Sequence, residues 1–147
     1  MQIETATPED IPIVSEFLGE IEAYYGGAAV PGDPTQVRAA LFGDRPAATV
    51  LLARDGGEVV GMASYTYLWP AAGADMSLYL KELFVREGAR RRGVARAFMA
   101  ALRDIAAEAG CSRVEWTADT DNPTALEFYA AFGAERRAGK VFYRWEQ

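Results

Sequence analysis

The chain has 147 residues, of which 50% are hydrophobic and 24% charged, as is typical of one globular domain. It has no histidine and one cysteine, Cys111, which excludes histidine-dependent catalysis, histidine-ligated zinc and internal disulfides. No metal is therefore expected. The net charge of -6 argues against nucleic-acid binding, and neither a membrane span nor a secretory signal is recognisable. We predict a single cytoplasmic domain over residues 1–147 that binds neither nucleic acid nor membrane.

The first third of the chain predicts a strand followed by two helices. Residues 2–6 have the pattern of a short strand. Thr7-Pro8 then begins a helix with apolar residues at helical spacing, which Gly26-Gly27 ends. Asp33-Pro34 caps a second, short helix that reaches about Leu41.

The rest of the chain alternates strand and helix patterns. Strands are predicted at 48–53, 59–69, 77–85, 113–117 and 141–145. One helix begins after Gly93 and ends at Gly110, and another begins at Asn122-Pro123 and ends at Phe132. The resulting order, β-α-α-β-β-β-α-β-α-β, predicts an α/β protein of the α+β kind with a mixed sheet.

A basic loop precedes the helix that follows Gly93. Residues 86–96 carry five arginines and one acid, so this window is +4 and the remainder of the chain is -10. A helix N-terminus presents unpaired N–H groups, a glycine there admits close approach, and arginines add paired donors. The loop predicts a phosphate or pyrophosphate site, or else a solvated arginine cluster that only caps the helix.

The loop and a later segment resemble a known superfamily. Arg90, Gly93 and Ala95 occupy the fixed positions of motif A of the GCN5-related N-acetyltransferases (GNAT), and residues 122–134 are similar to their motif B. This resemblance implies the GNAT acyl-CoA N-acyltransferase fold with acetyl-CoA as cosubstrate. The cofactor-binding residues that it implies are Leu83, Phe84, Val85, Arg90, Arg91, Arg92, Gly93, Val94, Ala95, Arg96 and Asn122. Asn122 could alternatively serve as a helix cap alone.

The same resemblance implies acetyl transfer to a primary amine of a small molecule by direct attack on the thioester. Tyr129 matches the tyrosine of motif B, and its phenol could protonate the leaving thiolate; otherwise it is a core tyrosine. Glu82 is the candidate base, acting directly or through water, or else an ordinary strand carboxylate. A protein N-acetyltransferase and a non-catalytic acyl-CoA-binding module are the alternative functions.

The acceptor side resembles the diamine and polyamine branch of these enzymes. Residues 65–67 and 78–85 are similar to that branch, but Lys81 stands where it has an acid. Glu16, Glu20, Glu22, Tyr24 and Tyr25 are expected to form an acidic, aromatic rim for a cationic amine, or else only a solvated helix face. Arg86 is expected beside the 3′-phosphate of the cosubstrate. An edge strand and exposed aromatic side chains are compatible with a homodimer.

Overall fold

A computed structural model describes all of residues 1–147 and divides them into two compact units, residues 1–116 and residues 117–147. The first unit contains β1 (Gln2–Thr5), α1 (Ile11–Tyr24), α2 (Pro34–Phe42), β2 (Thr49–Asp55), β3 (Glu58–Leu68), β4 (Ser77–Val85), α3 (Val94–Glu108) and β5 (Arg113–Glu115). The second contains α4 (Pro123–Phe132). Short 3₁₀ turns at Pro8–Asp10 and Glu87–Ala89 precede α1 and α3. No helix has the length and apolar composition needed to cross a membrane.

The first unit is built on one five-stranded mixed sheet with the strand order β1-β2-β3-β4-β5. Neighbouring strands are antiparallel except β4 and β5, which are parallel. A parallel pair needs a crossover, and α3 supplies it. Gly56 and Gly57, with φ of 59° and 85°, make the tight turn between β2 and β3. The predicted α/β fold class with a mixed sheet is confirmed.

Helices cover both faces of this sheet. Val50 and Leu52 of β2 belong to a core that they share with α1 and α2. On the opposite face, α3 approaches the backbone of Gly61 in β3 so closely that a Cβ there would lie 3.0 Å from the Phe98 ring. Alternation along each strand therefore supplies two cores, one per face.

Residues 141–145, predicted as a last strand, form no strand in the structure. Val141, Tyr143 and Trp145 are 74%, 86% and 94% exposed. Their aromatic and β-branched composition favours a strand, but a strand forms only by pairing. The unit of residues 117–147 contains one helix and no strand with which this segment could pair.

Candidate active site

The predicted anion loop connects β4 to α3 and turns sharply into the helix. Gly93 has φ of 82° and Arg91 has φ of 61°, so the last turn before α3 is left-handed at both residues. A Cβ built at Gly93 would meet no atom within 4 Å, so the backbone here is open to a ligand. Arg91, Arg92 and Arg96 are exposed. The loop thus offers amide donors and guanidinium groups at an accessible helix N-terminus.

Two loop arginines help to hold the loop in place. The Nε of Arg90 donates to the carbonyl oxygen of Val85 at 2.9 Å, and its guanidinium lies 5.6 Å from the Tyr24 ring centroid and 5.8 Å from that of Phe84. Arg92 pairs with Asp55 at 2.5 Å. The apolar side chains next to the loop pack into the protein. Val94 is buried, Ala95 is half-buried, and the Phe84 ring makes an edge contact with the Phe17 ring.

Arg86 faces α1 and is paired there. Its guanidinium donates to Glu20 at 2.6 Å and Glu16 at 2.5 Å, and it lies 4.5 Å over the Phe17 ring. The hydrogen bond that Arg86 donates to Glu20 is the main reason that the pKa of Arg86 is raised. This pairing argues against the expected role of Arg86 beside the 3′-phosphate, because the charge of Arg86 is neutralised by acids. The same ion pairs engage Glu16 and Glu20 of the expected acidic rim.

The strand β4 has an open edge just before the loop. It pairs with β5 only over Ser77–Tyr79, where Ser77 donates to Glu115 at 3.0 Å. The amide of Arg86 donates to Val60 of β3 at 2.9 Å. Because amides alternate sides along an antiparallel strand, those of Leu83 and Val85 point away from β3, to the open edge. Leu83 and Val85 are among the residues that the resemblance to the GNAT enzymes assigns to the cosubstrate.

A bulge in β4 lies at the start of this open edge. Ser64 of β3 is opposite Glu82, and the next residue, Tyr65, is opposite Leu80. Lys81 is thus the extra residue of the strand, and such a bulge bends the strand and redirects its side chains. The predicted base, Glu82, is half-buried directly beside it.

Glu82 and Lys81 line a cavity of about 470 Å³. Its walls are mostly apolar and come from α1, α2, the connection between them and the sheet; they include Val14, Leu18, Ile21, Val30, Val37 and Met62. Ser64 and Glu22 complete its polar lining. The sequence did not predict this cavity, because its lining residues are far apart in the chain and each has the pattern of an ordinary core residue.

The remaining predicted residues lie in the unit of residues 117–147. The Oδ1 of Asn122 accepts from the amide of Ala125 at 3.2 Å, so Asn122 is the N-cap of α4. Tyr129 is half-buried on α4, and its ring centroid lies 5.2 Å from that of Phe128. Their assignments to cosubstrate binding and catalysis stay predictions. In the whole chain, no cluster of three or more histidine, cysteine or acidic side chains could hold a metal.

The fold and the strand-loop-helix arrangement agree with comparisons to known proteins. The model of the acetyltransferase (GNAT) family matches residues 16–134. The chain belongs to this family.

Individual proteins that resemble this chain share about a third of its residues or fewer over the matched regions. An L-ornithine N5-acetyltransferase of Arabidopsis thaliana is 31% identical over 87 residues, which are 59% of this chain and 36% of that protein. This chain thus matches about a third of the length of that relative. An integron cassette protein from the mobile metagenome of V. cholerae is 30% identical with a TM-score of 0.83, covering 99% of this chain and 92% of that one. An aminoglycoside acetyltransferase from an uncultured soil metagenomic sample shares the fold, with a TM-score of 0.82 and 21% identity over 99% of this chain and 96% of that one.

Proposed function

We propose that this protein is an N-acetyltransferase that uses acetyl-CoA to acetylate the primary amine of a small molecule. One observation carries the proposal: a single strand, β4, joins the anion loop to the cavity. Its amides at Leu83 and Val85 face an open edge, its end leads into the basic loop, and its bulge places Glu82 in the cavity wall. The cavity has the size of a small-molecule site. Two relatives named for ornithine and aminoglycosides are consistent with a small amine as acceptor.

The loop and strand residues fit the parts of acetyl-CoA. The amides at the start of α3, with Arg91 and Arg96, suit a pyrophosphate, and the absence of a side chain at Gly93 permits close approach. Arg92 can contribute as well, because its side chain is 57% exposed in the ion pair with Asp55. The amides of Leu83 and Val85 suit the pantetheine arm, which can pair with a strand edge. Bound acetyl-CoA supplies the acetyl thioester.

The chain's own residues supply the proton transfers. Glu82, directly or through water, takes a proton from the acceptor ammonium so that the amine can attack the thioester carbon. An N–C bond forms and the C–S bond breaks. Tyr129 gives its phenolic proton to the departing sulfur, and the second proton of the attacking nitrogen leaves to solvent while the phenol is reprotonated. No covalent enzyme intermediate is required, in keeping with a chain that lacks histidine.

A pair of glycine substitutions tests cosubstrate binding. Gly93 and Gly110 lie at opposite ends of α3, both with positive φ, at 82° and 75°, and with open space around a Cβ. Glutamate at either position therefore causes comparable backbone strain, but only Gly93→Glu places a carboxylate at the anion loop. We expect Gly93→Glu to weaken acetyl-CoA binding by a hundredfold or more in calorimetric titration, and Gly110→Glu to bind like the wild type.

Thiol release with a panel of amines measures turnover in the same proteins. Amine-dependent release of CoA by the wild type and its loss in Gly93→Glu are expected. Equal acetyl-CoA affinity of the two glutamate variants would overturn the assignment of the loop. Binding of acetyl-CoA without turnover of any amine would show a binding module instead of an enzyme for small amines.

A further inference from the structure

We propose that the acceptor is an amine with an apolar body and one positive charge, rather than a polyamine or a polyhydroxylated amine. This inference rests on the proposed function and specifies the substrate class of the same site. It is carried by the composition of the cavity beside Glu82 and by the ion pairs that engage acids elsewhere on α1.

The apolar part of the acceptor follows from the cavity walls. Leu18 and Ile21 of α1, Val37 and Leu41 of α2, and Met62 of β3 face the cavity. Groups of this kind offer no hydrogen bonds to hydroxyls or secondary ammonium groups, which would be desolvated there at a cost. Methylene and aryl groups gain free energy at the same surface.

One wall of the cavity depends on a close backbone contact between α1 and the connection that follows it. The connection between α1 and α2 lies against α1, where the amide of Gly32 donates to the carbonyl of Ser15 at 2.9 Å and the Ser15 hydroxyl donates to the carbonyl of Gly32. Gly19 permits this approach, because a Cβ there would lie 3.0 Å from backbone atoms of Val30 and Pro31. The wall formed by Val30 and Gly32 is therefore fixed by small side chains on α1.

The single charge follows from the polar lining. Glu22 and Glu82 are acidic and Lys81 is basic, so the charged side chains of the lining have a formal sum of one negative charge. Glu16 and Glu20, which could have met further ammonium groups, are bound to Arg86. A second cationic centre inside the cavity would therefore meet apolar walls or Lys81. The remaining acid of the lining, Glu22, is exposed, and an ion pair in contact with water contributes little.

A homologous series of amines tests the inference with the intact protein. Each methylene that enters an apolar site is expected to raise kcat/KM about fourfold, until the cavity is filled. We therefore expect kcat/KM to rise from propylamine to hexylamine at saturating acetyl-CoA. Hexylamine should exceed hexane-1,6-diamine, which has the same length, and spermidine by tenfold or more. A flat series, or a preference for the diamine or spermidine, would overturn the inference while leaving the proposed function intact. If none of the amines were acetylated, both this inference and the proposed function would be overturned.

Two variants locate the selectivity in this cavity. Ala48→Met fills part of it, and Ala107→Met adds the same side chain at an exposed position of α3. Ala48→Met should flatten the dependence on chain length, and Ala107→Met should keep it. Gly19→Ala, which displaces the Val30 wall, should raise the KM for hexylamine severalfold and leave the KM for acetyl-CoA unchanged. Retention of the full chain-length dependence in both folded cavity variants would show that the acceptor binds elsewhere.

Discussion

Arg86 shows how one side chain decides which charges are available near a site. It belongs by sequence to the basic window before α3, yet its side chain is only 23% exposed, and its guanidinium is paired with Glu20, Glu16 and the carbonyl of Val59. Charged hydrogen bonds of this kind fasten the end of β4 to α1. The structure thus separates the arginines into one that is structural, Arg86, and others that remain available to an anion, such as Arg91.

Removal of the Arg86 guanidinium should affect the stability of the fold more than the recognition of the cosubstrate. Arg86→Gln leaves Glu20 without its main partner, and we expect a loss of about 2 kcal/mol in the free energy of unfolding. The relative affinity for CoA and dephospho-CoA should not change. Urea unfolding and calorimetric titration measure the two quantities. Arg91→Gln, in the same loop but exposed, should show the reverse pattern, with weaker CoA binding at nearly unchanged stability. A shifted preference between the two ligands in Arg86→Gln would restore its role beside the 3′-phosphate.

Tyr129 allows a second test at the scale of one hydroxyl group. If it protonates the leaving thiolate, Tyr129→Phe should lower kcat about a hundredfold, the usual contribution of a general acid, with the KM for acetyl-CoA nearly constant. Tyr143→Phe removes the same group from an exposed tyrosine of the same unit, 86% exposed, and should be silent. Full turnover by Tyr129→Phe would identify Tyr129 as a packing residue.

At the scale of elements, the start of α1 is tied to the sheet by Asp10. Its carboxylate accepts from the amide of Thr7 at 2.8 Å and pairs with Arg54 of β2 at 2.5 Å. Burial alone would raise the pKa of Asp10, but the hydrogen bonds from Thr7 and the ion pair with Arg54 outweigh it, and the pKa is lowered. The ionised carboxylate therefore stabilises the fold.

The pH dependence of stability should reveal this link. A lowered pKa means that the contribution is complete above the unfolded-state pKa near 4 and is lost as the pH falls through the folded-state value. Asp10→Asn should cost about 1 kcal/mol at pH 7, and its difference from the wild type should shrink steadily below about pH 4. Chemical unfolding at several pH values measures this. Glu9→Gln, at the exposed neighbouring position, should differ little at any pH. A deficit of Asp10→Asn that stayed constant down to pH 2 would exclude the ionic contribution.

Local sequence signals predicted most helices and strands. The features that were not predicted depend on contacts between residues that are far apart in the chain. The bounds of β4, the cap at Asn122 and the left-handed glycine before α3 follow from residues that are adjacent in the chain. The bulge at Lys81 could not be predicted, because it is defined only by the register of β4 against β3. The same holds for the pairing of Arg86 with Glu20, which are 66 residues apart. The strand predicted at residues 141–145 is absent, because a composition that favours a strand does not supply the partner strand with which it must pair.

At the scale of the whole molecule, the net charge of -6 is a poor guide to the field at the acceptor site. Several acids are neutralised by partners, as Asp55 is by Arg92 and Glu20 by Arg86. Glu82 has Lys81 beside it in the cavity lining. Local arrangement, and not the sum, is therefore expected to determine which amines are favoured, because exposed charges more than about 10 Å away are screened at 0.1 M salt.

Two charge reversals of equal size distinguish the local field from the global one. Lys81→Glu and Arg103→Glu each change the net charge from -6 to -8, but Lys81 lines the cavity, whereas Arg103 is exposed on α3, against the opposite face of the sheet. One unit charge at contact distance contributes about 1 kcal/mol in water-like surroundings. Reversal at Lys81 changes the charge by two units and should therefore raise kcat/KM for spermidine relative to hexylamine about thirtyfold at low salt. The gain should diminish in 0.5 M salt, and Arg103→Glu should leave the ratio within about twofold. Equal effects of the two reversals would mean that the net charge attracts the acceptor. An unchanged ratio in Lys81→Glu would mean that the acceptor's second charge does not lie near the bulge of β4.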